Sequence, residues 1–390
     1  MKKIISILTA SRAEYGLLRP LIKKLVKVKE FDIRIVVTGM HLSGEYGYTY
    51  KEIEEDKFLI DKKIEILLTS DSNASISKSM GLAMISFSDY FEELKPDLLL
   101  VLGDRYETLA VCIAAMNARI PIAHLYGGET TEGAIDESIR HAITKMSYIH
   151  FTSTAEYRKR VVQLGEEPER VYEVGAIGIE NIMNEPLLSK QELEKSLHFD
   201  LTRPYAIITF HPVTLESEKS EKQFLELLNA IEEHKELNYI MTKANADAGG
   251  KIINQLIDNY ERENNNVISF HSLGMIRYLS ALKFAKMVIG NSSSGLLEAP
   301  TFKIPTINIG DRQRGRIVCD SIINCKPIAK DIDYAINRAQ SLEFKKIVDN
   351  VRNPYGDGNT SDKIVNVLQE TLLTKNINLK KSFYNINVNI

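Results

Sequence analysis

The stretch from Lys95 to His150, KPDLLLVLGDRYETLAVCIAAMNARIPIAHLYGGETTEGAIDESIRHAITKMSYIH, leaves this chain few architectures. Two apolar runs, Leu98 to Leu102 and Ile120 to Leu125, stop abruptly at Gly103-Asp104-Arg105 and Gly127-Gly128-Glu129. Runs of that length bounded by Gly or Pro read as buried strands. A helical pattern follows each, and a strand–helix–strand–helix order implies parallel strands joined by crossovers. Ligands of open α/β sheets collect at the carboxyl ends of the strands. Asp104, Arg105 and Glu129 stand at such ends, where an unused charge is costly.

The same alternation extends over most of the chain. Strands are expected at 4–9, 31–37, 149–152 and 171–174, and in a second series at 205–210, 238–242, 267–270, 287–289 and 306–309. Helical patterns lie at 17–28 (with Pro20 in the first turn), 85–94, from 136, at 155–164, and again at 220–233, 251–263, 275–285 and 360–373. Residues 43–80 read as a polar loop, 183–203 as a linker with a short helix at 190–196, and the tail after 374 as loose. A length of 390 residues favours two cores over one. The expectation is an α/β protein with two Rossmann-like domains facing a cleft. They are residues 1–182 and 200–358, with a C-terminal helix and tail, 359–390, that packs back on the first.

Several functions are disfavoured. A net charge of −3 gives no broad footprint for nucleic acid. Cys112, Cys319 and Cys325 have no metal-ligand spacing, and an odd cysteine count fits a reducing cytoplasm. The opening ISILTA is too short for a signal peptide core and reads as a first strand. No apolar stretch is long enough to span a bilayer. There is no strand-to-helix GxGxxG, no GxxxxGK[ST] and no metal-spaced His/Cys/carboxylate cluster, so neither cofactor nor metal is expected.

Other candidates follow from position. Asn291, Ser292, Ser293 and Ser294 lie in GNSSSG between a strand and a helix, where hydroxyls and free N–H groups suit an anion. Glu298, just after, would repel a phosphate and better accepts hydrogen bonds from sugar hydroxyls. Arg312, Arg314 and Arg316 follow the next strand end, Arg312 being the favoured phosphate partner. His211 follows a strand directly, with structural and catalytic roles both open. Asn245 is a ligand or only a turn former. Arg12 stands after the first strand and His41 after the second. Asp136/Arg140 and Glu137/His141 have i,i+4 spacing, as surface pairs or as a face lining the cleft.

SRAEYGLLRPL, TGMHLS followed by YG, VLGDRYE, GGE-x6-DESIRHAITKMS, TFHPVT, GNSSSGLLEAP and GDRQRGR occur in this order. Together they resemble the hydrolysing UDP-N-acetylglucosamine 2-epimerases, over roughly residues 1–370. Where non-hydrolysing relatives carry GTRPE, this chain has SRAEYG. The resemblance implies a glycosyltransferase-B-type arrangement, a UDP-sugar substrate, UDP as product, and a homodimer or homotetramer; the human relative carries a kinase domain after the epimerase, for which this chain is expected to be too short. It places Arg12, Ala13, Arg105, His211, Asn245, Ser292, Ser293, Glu298 and Arg312 with the nucleotide. Asp104, Glu129 and a carboxylate of Asp136-Glu137 fall in the acid/base set. His211 is kept among the catalytic candidates, and His41, His141, Asn291, Ser294 and Arg316 among the substrate-binding ones. The implied reaction hydrolyses UDP-N-acetylglucosamine, as a glycosidase-type hydrolase, to N-acetylmannosamine and UDP on the way to sialic acid and surface polysaccharide. The alternatives are the same reaction on UDP-2,4-diacetamido-2,4,6-trideoxyglucose toward legionaminic acid, a non-hydrolysing epimerase, a glycosyltransferase, and a non-catalytic sugar-nucleotide sensor.

Overall fold

A computed structural model of the chain describes residues 2–44, 46–68, 72–130, 135–212, 217–244 and 250–387. Asn245 and the segment 131–134 lie outside them. Contacts divide the chain into two compact units, one built from residues 1–130, 135–181 and 355–390 and the other from 182–354 with 131–134.

The first unit holds seven strands: β1 (Lys3–Thr9), β2 (Phe31–Thr38), β3 (Ile60–Ile64), β4 (Leu98–Leu102), β5 (Ile122–Leu125), β6 (Ile149–Thr152) and β7 (Val171–Glu173). They form one sheet in the order β3-β2-β1-β4-β5-β6-β7, every pairing parallel. All five residues of β4 are buried, and the pleat sends alternate ones to opposite faces. Leu98, Leu100 and Leu102 join Leu18, Leu21 and Leu25 on one face. Leu99 and Val101 join Phe87, Val111 and Ile143 on the other. Strand order reverses between β1 and β4, the place where such sheets open a crevice at their carboxyl ends.

The second unit holds β8 (Tyr205–Thr209), β9 (Asn238–Thr242), β10 (Val267–Phe270), β11 (Met287–Gly290), β12 (Thr306–Ile309) and β13 (Ile322–Cys325). Its order is β10-β9-β8-β11-β12-β13, again parallel throughout. Gly290 ends β11 at φ +138°, and a Cβ there would sit 2.0 Å from the Thr209 carbonyl oxygen. Only glycine lets β11 and β8 approach this closely at the point where the serine turn begins.

The structure departs from the sequence reading in several places. Residues 43–80 are not one loop: they contain a helix Lys51–Glu55, strand β3 and the start of the helix Asn73–Leu94. β3 is an edge strand whose Lys62 and Lys63 pair with Glu93 and Glu54. Charges that guard an edge from further pairing also hide it from hydropathy. The helix expected from Leu17 begins at Arg12, so Pro20 lies inside it. Proline cannot donate to the carbonyl four residues back, and the Gly16 oxygen instead accepts from Asn181 Nδ2 at 2.9 Å. In 183–203, the helix Lys190–Leu197 buries Leu193 and Leu197 in the second unit.

The tail is not loose. The helix Thr360–Thr374 buries Ile364, Leu368 and Leu372 in the first unit's core. Beyond it, Lys381 Nζ donates to Glu166 at 2.6 Å and to the Ser147 carbonyl at 2.6 Å. The Phe383 ring fills the space a Cβ on Gly165 would take, 2.4 Å away. Burial pulls the Glu166 pKa up, but hydrogen bonds from His150, Lys145 and Lys381 outweigh it and hold the carboxyl at about 2.

Candidate active site

The turns after β4 and β5 meet the helix Ile135–Met146 at one side chain, Arg140, which is only 4% exposed. Its Nη1 donates to the Glu129 carbonyl oxygen at 2.9 Å and to Glu137 Oε2 at 3.1 Å, and its Nη2 to Asp104 Oδ2. The guanidinium therefore gathers three of the expected acid/base residues. The reading of Arg140 as half of a surface pair is corrected: it is buried and spans three elements. Glu129 is itself buried, its Oε1 accepting from Ser153 Oγ at 2.7 Å. Glu137 Oε1 lies 3.2 Å from His141 Nε2, as the i,i+4 spacing anticipates. Asp136 is exposed on the same helix.

His124, central in β5, supports this arrangement from below. Its Nε2 donates to the Gly103 carbonyl at 2.8 Å, so Nδ1 is left to accept from Thr144 at 3.2 Å. One imidazole thus ties the Gly103-Asp104 turn to the helix carrying Arg140. Burial pushes its pKa down to about 3, against the Gly103 bond. A histidine kept neutral in the fold but protonating near 6.5 when unfolded contributes stability that is full above pH 6.5 and lost as pH falls toward 3. Urea unfolding between pH 7 and pH 4 should show this decline, and His124→Gln should make it shallower by one group's share, with His41 and His211 keeping theirs. An equally steep decline in the variant would assign the effect elsewhere.

Around the β1/β4 switch point stand Arg12, Ala13, His41 and Arg105. Arg12 and Ala13 are exposed, and Arg12 Nε pairs with Glu52 at 3.0 Å. His41 is fully buried between the Thr9 hydroxyl (3.0 Å) and the Thr49 hydroxyl (2.8 Å), and burial holds its pKa at about 4. It is neutral and bridges the end of β1 to Thr49, just before the helix Lys51–Glu55. Two residues here escaped sequence reading. Arg105 Nε donates to Glu107 Oε1 at 2.6 Å and lies 4.0 Å from Glu14 Oε1. Glu14 lay in the SRAEYG motif and could have been recognised as the far half of a capping box with Ser11.

In the second unit, Asn291 organises the turns after β8, β11 and β12. Its side chain accepts from His211 N at 2.7 Å and donates to the His211 carbonyl at 2.8 Å. Its own carbonyl accepts from Arg312 Nη1 at 3.0 Å and Gln313 Nε2 at 2.8 Å. Gln313 is a further residue the sequence did not single out. Burial and the neighbouring Arg312 charge hold the His211 imidazole down at about 4, and its buried Nδ1 has no hydrogen-bond partner among the described residues. The helix expected after the serines is a single turn, Ser294–Leu297, too short to carry a useful dipole. Anion affinity would rest on the turn's own N–H groups and the half-buried Ser292 and Ser293. Tyr278 donates to Ser294 Oγ at 2.6 Å, and Ser294 Oγ in turn to Glu298. Burial raises the Glu298 pKa, against that hydrogen bond. Arg316 is half-buried, with its Nε enclosed and without a hydrogen-bond partner among the described residues.

Two parallel sheets with helices on their faces, and charged turns at the strand ends, make this an α/β protein of two Rossmann-like units. The family described as UDP-N-acetylglucosamine 2-epimerase matches residues 23–369, and the chain belongs to that family, as its motifs led one to expect. It is 46% identical over 381 residues to GDP/UDP-N,N'-diacetylbacillosamine 2-epimerase (hydrolyzing) of Campylobacter jejuni, covering 96% of this chain and 98% of that one. It is 42% identical over 391 residues to polysialic acid biosynthesis protein P7 of Escherichia coli, covering 99% and 98%. The solved Methanocaldococcus jannaschii UDP-GlcNAc 2-epimerase in complex with UDP-GlcNAc and UDP shares the fold at TM-score 0.77 and 19% identity, covering 94% of this chain and 99% of that one.

Proposed function

We propose that the chain is a hydrolysing 2-epimerase that converts UDP-N-acetylglucosamine to N-acetylmannosamine and UDP, an entry step to sialic acid. The observation that carries this reading is the gathering of Asp104, Glu129 and Glu137 by Arg140 at the ends of β4 and β5. Inverting C2 without a redox cofactor requires that its proton leave and return. A carboxylate takes the C2 proton, the C1–O bond breaks with its electron pair leaving on UDP, and a C1=C2 double bond forms. Water then supplies a hydroxyl to C1, and a proton reaches C2 from the opposite face. Acid/base groups are needed on both faces. We assign these roles to Asp104 and Glu129, with Asp136 and Glu137 next in line.

The second unit's Ser292, Ser293, Arg312 and Arg316 are assigned to the diphosphate, whose charge grows as it departs. Glu298 is assigned to sugar hydroxyls, and His211, neutral at pH 7, to a proton-accepting or orienting role. Ser293→Ala and Arg312→Ala should each weaken UDP binding by about 1.5–3 kcal/mol, the usual value of a charge-assisted contact. Unchanged UDP affinity in both variants, read by calorimetry, would remove the serine turn from the site.

A second substrate is favoured by one observation. The Campylobacter jejuni relative at 46% identity is named for diacetylbacillosamine, which differs from N-acetylglucosamine at C4 and C6 and not at the reacting C1 and C2. Incubating the enzyme in D2O with UDP-N-acetylglucosamine and, separately, with the UDP-diacetamido-trideoxy sugar tests both. The expected products are UDP and a free 2-epimer carrying one deuterium at C2. Turnover of the diacetamido sugar alone would move the assignment to the second substrate. UDP release without C2 deuteration would defeat the elimination route.

A further inference from the structure

At the switch point between β1 and β4, two buried carboxylates face the guanidinium of Arg105. Glu14 is 7% exposed and Glu107 fully buried. Glu14 Oε2 is spent on the backbone, accepting from Ala10 N at 2.6 Å and Ser11 N at 3.2 Å. Glu107 Oε1 takes Arg105 Nε at 2.6 Å. The remaining oxygens, Glu14 Oε1 and Glu107 Oε2, are both buried without a hydrogen-bond partner among the described residues. The guanidinium has one Nε–H, and Glu107 holds it, so Glu14 Oε1 at 4.0 Å gains only Coulomb attraction. His41, packed edge-on to Tyr15 on this side, adds no charge because burial keeps it neutral. The Arg12 side chain is exposed and occupied by Glu52. Among the described residues, two carboxylates and one guanidinium thus share a low-dielectric site, with an excess of one negative charge when both carboxylates are ionised.

We infer that Glu14 and Glu107 are positioning residues for Arg105 and that Glu14 takes up a proton when Arg105 receives the diphosphate of the substrate. This rests on the assignment of Arg105 to nucleotide binding. The terminal nitrogens of Arg105 are its open side, since among the described residues only its Nε is engaged. An arriving diphosphate draws on the positive charge that had stabilised two carboxylates, and the excess is relieved by protonating the one without a direct arginine bond. Burial already raises the Glu14 pKa to about 7, against the attraction of Arg105, so a modest further rise moves protons near neutral pH. Arg105 then keeps its Glu107 contact and its orientation in both states.

The test is calorimetry of UDP binding to the intact protein at pH 8, in Tris and in HEPES, whose ionisation enthalpies differ. UDP itself is fully ionised there. A one-unit rise from about 7 gives an uptake of about 0.4 proton per UDP. Glu14→Gln, which keeps a cap acceptor and cannot ionise, should bind UDP at least as tightly with no uptake. Glu107→Gln leaves the capping box intact and removes the like charge beside Glu14. Its uptake should fall below that of the parent protein, which keeps the test open if Glu14→Gln does not fold. UDP binding with no uptake by the parent protein would overturn the inference and leave the nucleotide assignment standing. So would uptake that persists in Glu14→Gln, or an uptake in Glu107→Gln that is not reduced. Absence of UDP binding by the parent protein would overturn both.

Discussion

Asp104→Asn should lower turnover by about 10²–10⁴-fold, the usual cost of losing a positioned acid or base, while leaving UDP affinity and melting temperature close to those of the parent protein. Asparagine keeps an oxygen for Arg140 Nη2, so the bond from the helix to the β4 turn survives. What it cannot do is carry a proton. Asp104 is about a quarter exposed, so the neutral side chain relieves little desolvation. Glu129→Gln is the companion: its amide oxygen can still accept from Ser153. The two variants differ in what they leave behind. A variant blocked before elimination releases no UDP and exchanges no C2 hydrogen. One blocked after it releases UDP and accumulates the 2-acetamidoglucal. UDP release and C2 deuteration are measured together, and near-normal turnover of a folded Asp104→Asn protein would move suspicion to Asp136 or Glu137.

Arg140→Met should cost about 2–4 kcal/mol of stability and most of the activity. Methionine matches the stem, so packing is nearly preserved. What is lost is a buried hub serving the Asp104 carboxylate, the Glu137 carboxylate and the Glu129 carbonyl. Removing one partner of a buried ion pair typically costs about 3–5 kcal/mol. The lower figure applies here because Asp104 and Glu137 remain 25% and 27% exposed and regain water. Arg140→Lys should rescue little, since an ammonium cannot present two nitrogens to three acceptors on different elements. Denaturant unfolding and steady-state turnover check both statements. A Lys variant with full activity would show that charge alone suffices.

The parts legible in sequence were those fixed by local rules. Apolar runs such as Leu98–Leu102 are strands because both faces of the sheet are covered, and their abrupt ends place Asp104, Glu129 and His211 at carboxyl termini without any tertiary knowledge. The parts that stayed hidden depend on partners distant in sequence. Arg140 looks like a surface residue until the β4 turn supplies Asp104 from 36 residues away. Glu107 follows Arg105 too closely to suggest burial, yet its carboxyl is packed against Gly39. The polar tail offered no periodicity, because Lys381 and Phe383 dock singly, one by charge and one by filling the space over a glycine. β3 and β13 are edge strands, where one exposed side weakens the hydropathy signal that central strands show strongly.

The first unit is discontinuous in the chain, and this sets an order of assembly during synthesis. Residues 182–354 carry a whole sheet and core of their own. The first unit's sheet emerges earlier but waits for its last helix, since Leu18, Leu21 and Leu25 share a core with Ile364, Leu368 and Leu372. Until the ribosome releases residue 374 and beyond, that apolar face has no cover and Glu166 lacks the ammonium of Lys381. The unit that begins first therefore closes last. A nascent chain stalled before residue 355 should accordingly show a protease-resistant second unit beside a still-cleavable first one.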